Sequence, residues 1–398
     1  MSRREPPPEL PPKPGPVVTE RPALGLRWKV IRGTAAVEAL AGGMLVRDWD
    51  QLAQSTSPSP TADAIWTRCF WSAFGEDDDA LALHAAYRGD RLVGMLPLRR
   101  QGRVLQRWAS ISNAHSPRCS YALDTHDRDI PAGALEHLLN DVDMIDIERI
   151  PPDDPLVSGV LSAAEEQRLR VDARESGGDH VIELRSPWDE CRRALPSKMV
   201  RETSRKLRQL EAQGTLEFNV VRAEPDMSRT LSLCFELEMK GWKGDHGSPI
   251  AASPRTLTFY SRLAQEESAA GRFALYVLKF EGRLVAYELC LRAQGRIEQL
   301  KPSYDPALRR YSPGNILRYR VLEHEVARGE VTTYHLGDPA TWKYHWAKRV
   351  DPLVRLRVFR ASVPAAAHWG SLRARDLVHR SAALRRLSAG LRRVGLRR

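Results

Sequence analysis

The sequence lacks the features that mark membrane and secreted proteins. Among its 398 residues, no apolar run approaches the ~18 residues that a membrane-spanning helix needs. The N-terminus reads Met1-Ser-Arg-Arg-Glu-Pro-Pro-Pro and has no apolar segment of the kind found in a secretory signal. We therefore expect a soluble protein of the cytoplasm.

Cysteine is scarce as well. The five cysteines are scattered, and none belongs to a C-x-x-C pair or to a Cys/His cluster with metal-binding spacing. This argues against structural disulfides and a zinc site. Cys234 lies in a helix-like apolar context and Cys290 in a strand-like one, so both are predicted to be core residues.

Several motifs of common enzyme classes are missing. No Walker-type or Rossmann-type glycine pattern occurs, which argues against a P-loop or a dinucleotide site. No G-x-S-x-G elbow occurs either, which argues against a serine nucleophile. We expect no metal and no permanently bound cofactor.

Positive charge is abundant, but it is concentrated at one end. The formal net charge is +11, and residues 365–398 alone hold nine arginines against one acid, Asp376. The rest of the chain carries only about +3, so nucleic-acid binding by the folded part is not expected. Apolar residues recur among these arginines at helical spacing, which indicates a basic amphipathic helix: Leu377, Leu384, Leu387, Leu391 and Val394.

The basic tail allows several interpretations. It could make peripheral contact with an anionic membrane, dock an acidic carrier protein or touch nucleic acid. It could also pack on the protein's own surface or be disordered. The sequence does not choose among these.

Composition divides the chain into four segments. Residues 1–25 hold eight prolines and predict a disordered leader, because proline fixes φ and has no backbone donor. Residues 26–186 and 187–360 each alternate strand-like and helix-like patterns. The second begins with a basic helix over about 189–213 that Pro196 could interrupt, and residues 361–398 are the tail.

Local patterns also predict individual strands. In the first segment, Leu81–Tyr87 and Arg91–Leu98 flank a Gly-Asp turn and predict a hairpin. Two short strands are predicted near 169–173 and 180–184.

An internal echo links the two central segments. Gly89-Asp-Arg-Leu-Val-Gly94 resembles Glu281-Gly-Arg-Leu-Val-Ala286 at an offset of 192 residues. Both are followed by strand, loop, helix and strand, which favours an ancient duplication. The first copy has Ser112-Asn-Ala-His-Ser-Pro-Arg118 where the second has a basic turn. We therefore expect one active site, in the second copy.

The most informative stretch is 273–346. It predicts a three-strand meander, the turn Arg309-Arg-Tyr-Ser-Pro-Gly-Asn315, a helix and another strand. A turn at a helix start suits an anion, because unpaired N–H groups and the helix dipole both point at it. We expect it to hold the phosphates of coenzyme A or phosphopantetheine.

Several motifs in this region carry a family resemblance. They are Glu238-Met-Lys-Gly-Trp-Lys-Gly244, Tyr304-Asp-Pro306, Ser312-Pro-Gly314, and Leu336-Gly-Asp338 followed by Trp342-Lys-Tyr-His-Trp346. In this order they resemble the GNAT acyltransferase superfamily, and more closely its tandem branch of cellulose-biosynthesis-type acetyltransferases. That branch is related to the peptidoglycan interpeptide-bridge aminoacyltransferases. The resemblance implies an α/β (α+β) fold with two tandem GNAT-like domains, each a mixed, mostly antiparallel sheet flanked by helices.

The resemblance also implies where the acyl donor lies. In GNAT folds the pantetheine runs along a splayed strand, here Arg296–Ser303, and its pyrophosphate lies on the turn that follows. This turn has one glycine, and Pro313 removes a donor, so free coenzyme A and an acyl carrier protein both stay open as donors. The implied donor-binding residues are Leu300, Lys301, Ser303, Arg309, Arg310, Tyr311, Ser312, Gly314 and Asn315.

Acyl transfer to an amine needs a base, donors that polarise the thioester carbonyl and an acid for the leaving thiolate. Tyr344 stands where GNAT enzymes often carry a thiolate-protonating tyrosine, and Glu298 is a further possible base. The catalytic candidates are Glu288, Asp338, Tyr344 and His345. The acceptor-binding candidates are Glu238, Trp242, Lys243, Tyr304 and Lys343.

Each candidate also has a structural interpretation. Glu288 could be a solvent-facing strand residue, with Tyr287 on the opposite face. Asp338 could cap a helix beginning at Pro339. Tyr344 could be a core tyrosine.

The favoured function is transfer of an acyl group from an acyl thioester to an amine of a peptide, an amino sugar or a small metabolite. Lipopeptide or envelope biosynthesis would be a suitable context. Two alternatives remain open. One is an aminoacyl-tRNA-dependent transferase, with helix 189–213 and the tail holding RNA. The other is a non-catalytic GNAT-like binding module.

Overall fold

The computed structural model describes residues 19–223, 225–240 and 250–380. Trp242, Lys243 and residues 381–398 lie outside these ranges, and so do the predictions made for them. Both copies of the internal repeat contribute to one 14-stranded sheet. Thr19–Ala23 pairs with Leu26–Arg32 as an edge strand, so the prediction that a disordered leader extends to residue 25 is wrong at its end.

The first half, over residues 19–183 as the structure describes them, supplies eight strands and five helices. The strands are β1 (Thr19–Ala23), β2 (Leu26–Arg32), β3 (Leu81–Arg88), β4 (Arg91–Gln101), β5 (Arg107–Ser110), β6 (Ala122–Leu123), β7 (Met144–Ile150) and β8 (Arg170–Glu183). The helices are α1 (Thr34–Leu40), α2 (Met44–Thr56), α3 (Ala64–Phe74), α4 (Asp129–Leu139) and α5 (Pro155–Glu166).

The second half, from residue 188, supplies six strands and six helices among the described residues. The strands are β9 (Leu216–Val221), β10 (Phe273–Phe280), β11 (Arg283–Ala293), β12 (Arg296–Tyr304), β13 (Thr333–His335) and β14 (Arg349–Phe359). The helices are α6 (Trp188–Ala194), α7 (Ser197–Glu211), α8 (Asp226–Met239), α9 (Pro254–Ala269), α10 (Pro313–Arg328) and α11 (Val363–Arg380).

Local signals explain several of these boundaries. Pro196 separates α6 from α7, which confirms the predicted interruption of the basic helix. Asp63 caps α3 by accepting a hydrogen bond from the Trp66 amide. Ser253 does the same for α9, and Pro254 occupies its first turn.

The two halves repeat the same strand pattern. In the first, β2, β3, β4 and β5 are antiparallel neighbours and β7 lies parallel to β5. In the second, β9, β10, β11 and β12 are antiparallel and β13 lies parallel to β12. The two hairpins of the echo even share a register shift just before their turns, at Ala86/Tyr87 and Leu278/Lys279. The predicted tandem GNAT-like fold is therefore confirmed.

The halves exchange their last strands. Strand β8 belongs to the first half but pairs with β13 of the second, whereas β14 belongs to the second half and pairs with β7 of the first. Strands β8 and β14 pair with each other at the centre. The order is β1-β2-β3-β4-β5-β7-β14-β8-β13-β12-β11-β10-β9. Neither half completes its sheet from its own chain segment.

Helices cover both faces of the sheet. On one face, α1 to α3 and α8 to α9 share a single core, in which Trp66 meets Phe259 edge-on with ring centroids 5.4 Å apart. On the other face there are two main cores, one under α4 and α5 and one under α6, α7 and α10. A smaller core lies under α11.

In the described part of the chain, three features bear on other classes of protein: the cysteines, the metal-ligating side chains and the length and apolarity of the helices. All five cysteines are buried and free, including Cys234 and Cys290 as predicted. The described residues contain no cluster of metal-ligating side chains. Of the helices that the structure describes, none is both long and apolar enough to cross a membrane.

Candidate active site

The strands β12 and β13 diverge and leave a gap in the sheet. They pair only from Arg296–Glu298 to Thr333–His335, after which β12 continues to Tyr304 while β13 ends. The chain then turns at Gly337, whose φ of 74° lies in the left-handed region. We name the space between residues 299–304 and the loop 337–346 the donor cleft. The divergence of β12 from β13 matches the splayed strand that the sequence resemblance implied, and the binding of a donor along it stays a prediction.

At the turn before α10, positively charged side chains are more available to an anion than backbone N–H groups are. Pro313 has no N–H, and the amides of Asn315 and Ile316 both donate to the carbonyl of Ser312. The backbone cradle expected around Gly314 is therefore largely used by the turn itself. Positive charge comes from another helix instead. The Nζ of Lys206 in α7 donates a hydrogen bond to Ser312 Oγ at 2.7 Å.

Other predicted donor-binding residues lie around this turn. Arg309 and Arg310 are exposed, and the Arg310 guanidinium lies 4.5 Å from the centroid of the Tyr311 ring. The ring of Tyr304 packs beside Gly314, where an added Cβ would lie 3.5 Å from it. The side chain of Tyr304 thus lies at the first turn of α10, and its contact with the acceptor stays a prediction.

Glu288 is the centre of a buried network under α10. Its side chain is 1% exposed, and Arg318 of α10 donates to Oε1 at 2.5 Å while the Tyr334 hydroxyl donates to Oε2. Tyr287 faces the opposite core, as predicted. The solvent-facing interpretation of Glu288 is wrong. Both carboxylate oxygens have partners, so the geometry supports a structural anion rather than a base.

Glu298 is buried as well. Its Oε1 accepts a hydrogen bond from the Ser59 hydroxyl at 3.0 Å and lies 2.8 Å from Arg296 Nε. Ser59 belongs to the first half, so this contact joins the two halves below the cleft. Like Glu288, Glu298 has no open path to an acceptor amine in this arrangement.

The loop 337–346 carries the remaining catalytic candidates. Asp338 is half-exposed and accepts a hydrogen bond from Arg149 of the first half at 2.7 Å. No helix starts at Pro339, so the capping interpretation is wrong. Tyr344 is 53% exposed, which excludes the core interpretation, and its ring meets His180 edge-on at 4.3 Å. His345 is exposed in the short 3-10 helix Lys343–His345.

The surroundings of Lys343 in this loop shift the pKa of its side-chain amine. Its Nζ donates to the Asp338 carbonyl at 2.6 Å and lies 5.3 Å from the centroid of the Trp342 ring. Burial lowers the pKa of this amine to about 8, with Asp338 opposing the shift and Arg318 adding to it. A fraction of the Lys343 side chains is therefore neutral at physiological pH.

A buried polar cluster that the sequence analysis missed supports the loop. Asp179 of β8 accepts a hydrogen bond from the Gly337 amide at 2.9 Å, and its other oxygen lies 2.8 Å from His335 Nδ1. Arg118 and Arg296 also pair with this carboxylate. Burial opposes ionisation, but the hydrogen bond from His335 and the surrounding positive charge hold the pKa of Asp179 well below its usual range. The preceding Gly177-Gly178 pair inside a strand pattern is the signal that could have marked this position.

Residues of both halves form a wall beside β12. His115 lies in the loop predicted to be the degenerate counterpart of the basic turn. Its Nδ1 is 3.3 Å from the Tyr260 hydroxyl, and its ring stacks on Phe74 at 5.4 Å. Lys301 Nζ lies 5.6 Å from the centroid of the Tyr260 ring. Burial lowers the pKa of His115 to about 4, so its ring is neutral at physiological pH.

The other predicted binding residues lie on this side of β12 or near it. Glu238 is fully buried at the end of α8 and accepts a hydrogen bond from the Ile250 amide at 2.8 Å. It is therefore a structural neighbour of the wall and not an open acceptor contact. Leu300 packs against the core that both halves share, and Ser303 is half-buried and paired in register with Tyr287.

A cavity of about 510 Å³ opens between the halves on the face opposite α10. Arg118, Arg296 and Arg349 line it together with carboxylates. One of these, Asp154, has its pKa raised to about 6 by burial. The cavity combines segments of both halves, and its polar lining suits an acceptor that carries charged and hydrogen-bonding groups.

Comparisons with known proteins agree with this geometry. Residues 197–346 match a family model described as an acetyltransferase (GNAT) domain. Among solved structures, FemX superposes with a TM-score of 0.56 at 10% identity, covering 80% of this chain and 96% of FemX. At this identity the likeness shows a shared fold and nothing about substrates.

Two further structures cover similar shares of the chain at lower TM-scores. One is the C-terminal domain of a putative lysylphosphatidylglycerol synthetase from Agrobacterium fabrum, with TM-score 0.49, 16% identity, and coverage of 82% of this chain and 95% of that one. The other is a tandem GNAT protein from the clavulanic acid biosynthesis pathway, with TM-score 0.43, 15% identity, and coverage of 85% and 99%. No curated protein matches the sequence.

Proposed function

We propose that the chain is an N-acyltransferase of the GNAT superfamily, whose model matches residues 197–346, and that it moves an acyl group from a pantetheine thioester to an amine acceptor held between its two halves. The donor is acyl-CoA or an acyl carrier protein. The acceptor amine belongs to a peptide, an amino sugar or a small metabolite. The reaction takes place in the cytoplasm, and a product for lipopeptide or envelope biosynthesis fits these substrates.

The donor enters on the face covered by α10. The pantetheine lies along residues 299–304, where amides of β12 that no longer pair with β13 polarise the thioester carbonyl. Its phosphates lie at the turn before α10, near Arg309, Arg310 and Lys206. Since the amides of this turn are used internally, binding there depends on side-chain charge.

The acceptor enters on the opposite face, from the cavity that both halves line. This route is bordered on one side by the wall of His115 and Tyr260. Two buried arginines, Arg118 and Arg296, also border it. The first half therefore acts as the acceptor platform for the second. This assigns a role to the loop 112–118, which lacks the basic turn of the active copy.

Lys343 is the proton acceptor in this proposal. The acceptor nitrogen attacks the carbonyl carbon, the C–N bond forms, and the C–S bond breaks to release the thiolate. The neutral amine of Lys343 takes the proton from the attacking nitrogen, and the Tyr344 hydroxyl gives a proton to the thiolate. The half-buried Lys343 with a pKa of about 8, on the loop beside the strand divergence, is the observation that carries the proposal.

The test uses the full chain with a panel of acyl-CoA and acyl carrier donors and candidate amines. Thiol release and intact-mass analysis of the acceptors report turnover, and calorimetry reports donor binding. We expect at least one pantetheine thioester to bind and to acylate an amine. Failure of every pantetheine thioester to bind would refute the proposal.

Aminoacyl transfer from aminoacyl-tRNA is the second candidate function. One observation favours it: α7 presents exposed basic side chains along its length, namely Lys198, Arg201, Arg205 and Arg208. This reading predicts RNA binding whose affinity falls steeply with salt, because released counterions supply much of the binding free energy. Equal retention of a tRNA at low and high salt would count against it.

A further inference from the structure

A second cavity, of about 440 Å³, lies where α6 meets α7. The end of β8, the α6–α7 junction and the start of β14 line it, and it borders the acceptor cavity between the halves at Arg349, which lines both. Its volume falls within the range of small-molecule sites, which is roughly 300–1,000 Å³. We name it the junction cavity. Its charged lining residues are Glu183, Arg185, Arg193, Lys348 and Arg349.

The lining of the junction cavity keeps an excess of positive charge. Glu183 is shared by Arg185 at 2.6 Å and Arg349 at 3.1 Å, and these guanidinium groups lower the pKa of its carboxyl. Arg193 and Lys348 pair with no carboxylate among the described residues, and Arg193 Nε donates only to the Asp189 carbonyl at 3.1 Å. Two cations therefore face the cavity without a counter-ion there.

The junction cavity adjoins the donor cleft through Trp346. This residue lines the cavity, and its indole N–H donates to Asn315 Oδ1 at 3.1 Å in the first turn of α10. Asn315 belongs to the turn at which we place the donor phosphates. A donor that lies along β12 and crosses this turn thus has a basic cavity on the far side of Trp346.

The geometry points to a phosphate monoester site for the distal end of a nucleotide-linked acyl donor; this rests on the proposed function. A phosphate monoester carries close to two negative charges at neutral pH, which matches the two cations without partners. Guanidinium and ammonium groups bind such an anion through charge-assisted hydrogen bonds, with the Ser197 hydroxyl as a further donor. The site would favour free coenzyme A over a phosphopantetheine tethered to a protein, since only the former carries this group.

The test compares ligands that differ by this one group. Calorimetry on the full chain measures binding of coenzyme A, 3′-dephospho-coenzyme A and adenosine 3′,5′-bisphosphate, which lacks pantetheine. The variant is Arg193→Ala combined with Lys348→Ala. The matched control is Arg192→Ala, which removes an exposed arginine of α6 that does not line the cavity. Melting temperatures check that all three proteins are folded.

We expect the unmodified chain to bind coenzyme A about tenfold or more tightly than its dephospho form, the effect of one or two charged hydrogen bonds. The double variant should bind both equally, and Arg192→Ala should behave like the parent. Equal affinities in the parent, or an equal loss in Arg192→Ala, would overturn the inference.

The remaining outcomes separate the two proposals. If coenzyme A fails to bind but the bisphosphate binds in a manner that depends on Arg193 and Lys348, the phosphate site stands and the thioester proposal falls. If neither small ligand binds and an acceptor-stem RNA hairpin binds with the same dependence, the monoester site is wrong and the cavity belongs to an RNA surface.

Discussion

At the scale of single residues, burial separates carboxylates that look alike in the sequence. Glu288 and Glu298 both lie in strands and both could be bases, yet each is 1% exposed and held by an arginine. Asp338 and Lys343 lie on the loop beside the cleft and remain half-exposed. Of these four residues, the two on the loop are therefore the more accessible.

Replacing Glu288 tests its structural role. Glu288→Gln removes the counter-ion of Arg318, whose side chain is 3% exposed, and so leaves a buried guanidinium without compensating charge. We expect the free energy of unfolding to fall by about 3 kcal/mol in urea denaturation. Glu217→Gln, on an exposed position of β9, should change it by less than about 0.5 kcal/mol. Similar small effects for both would contradict the network.

The pKa of Lys343 predicts how the rate of the reaction depends on pH. The amine must be neutral to accept a proton, so kcat/KM should rise with pH and level off through a midpoint near pH 8. Lys343→Arg keeps the charge but cannot deprotonate in this range, so the rise should disappear along with most activity. Lys29→Arg, on β2 of the first half, should keep the parent profile. A midpoint that persists in Lys343→Arg would assign the titration to another group.

At the scale of elements, α3 of the first half and α9 of the second are joined by buried charges. Arg272 lies 2.5 Å from Asp63 at the start of α3 and 2.7 Å from Glu267 in α9. Burial raises the pKa of Glu267 to about 8, helped by Asp63 and opposed by Arg272, and Asp50 adds to the shift. Two acids pair with one buried arginine here and the charge of Asp50 also acts on them, so the cluster favours a protonated carboxyl on Glu267.

This cluster predicts how stability changes with pH. A carboxyl whose pKa is raised on folding stabilises the native state below its ordinary pKa of 4.5, and this contribution is lost as the pH rises through about 8. The free energy of unfolding should thus decline between pH 5 and pH 8 by up to about 1.4 kcal/mol per pH unit. Glu267→Gln should flatten this decline in chemical denaturation.

The neighbouring Glu266 provides the control for this measurement. It pairs with Arg68 and Arg262, which lower its pKa in spite of burial, so Glu266→Gln should keep the decline of the parent. A parent whose stability rises over this pH range, or a Glu267→Gln variant with an unchanged slope, would show that another group dominates.

At the scale of the whole molecule, the strand exchange makes the two halves one folding unit. Strand β13 has β8 of the first half as its neighbour, and β14 lies between β7 and β8. The core shared by α3 and α9 adds apolar area that either half alone would expose to water. The predicted boundary between residues 186 and 187 falls in sequence after β8, whereas in space β8 belongs with the second half.

A fragment of residues 187–360 tests this dependence. It lacks β8, so it should show no cooperative thermal transition by circular dichroism, because the edge of β13 and both edges of β14 lose their partners. Residues 19–380 should unfold cooperatively. Co-expression of residues 19–186 with the fragment should restore the transition. A cooperative transition of 187–360 on its own would refute the dependence.

The local features of the chain follow from sequence alone, because neighbouring residues cause them. The hairpins at 88–91 and 280–283 follow from apolar alternation around a glycine turn, and the break between α6 and α7 follows from Pro196. The splayed strand was predicted through the motifs in 236–346, and the binding of the donor along it stays a prediction. Each of these signals depends on only a few neighbouring residues, so the local structure it predicts does not depend on which distant segments pack against it.

Contacts between distant segments were decided only by the tertiary structure. Two short strands were predicted near 169–173 and 180–184, but β8 is one strand over 170–183, because its partner β14 continues past Gly177-Gly178 with a shift in register. The pairing of β8 with β13 brings Asp179 to Gly337, and the loop between β5 and β6 brings Arg118 to Glu298. No local pattern encodes which strand a residue will face across more than a hundred positions, since that choice depends on the free energy of the whole sheet and its cores. The sequence alone determined the repeat, the turns and the splayed strand, and the exchange of β8 and β14 decided that the two copies build one sheet.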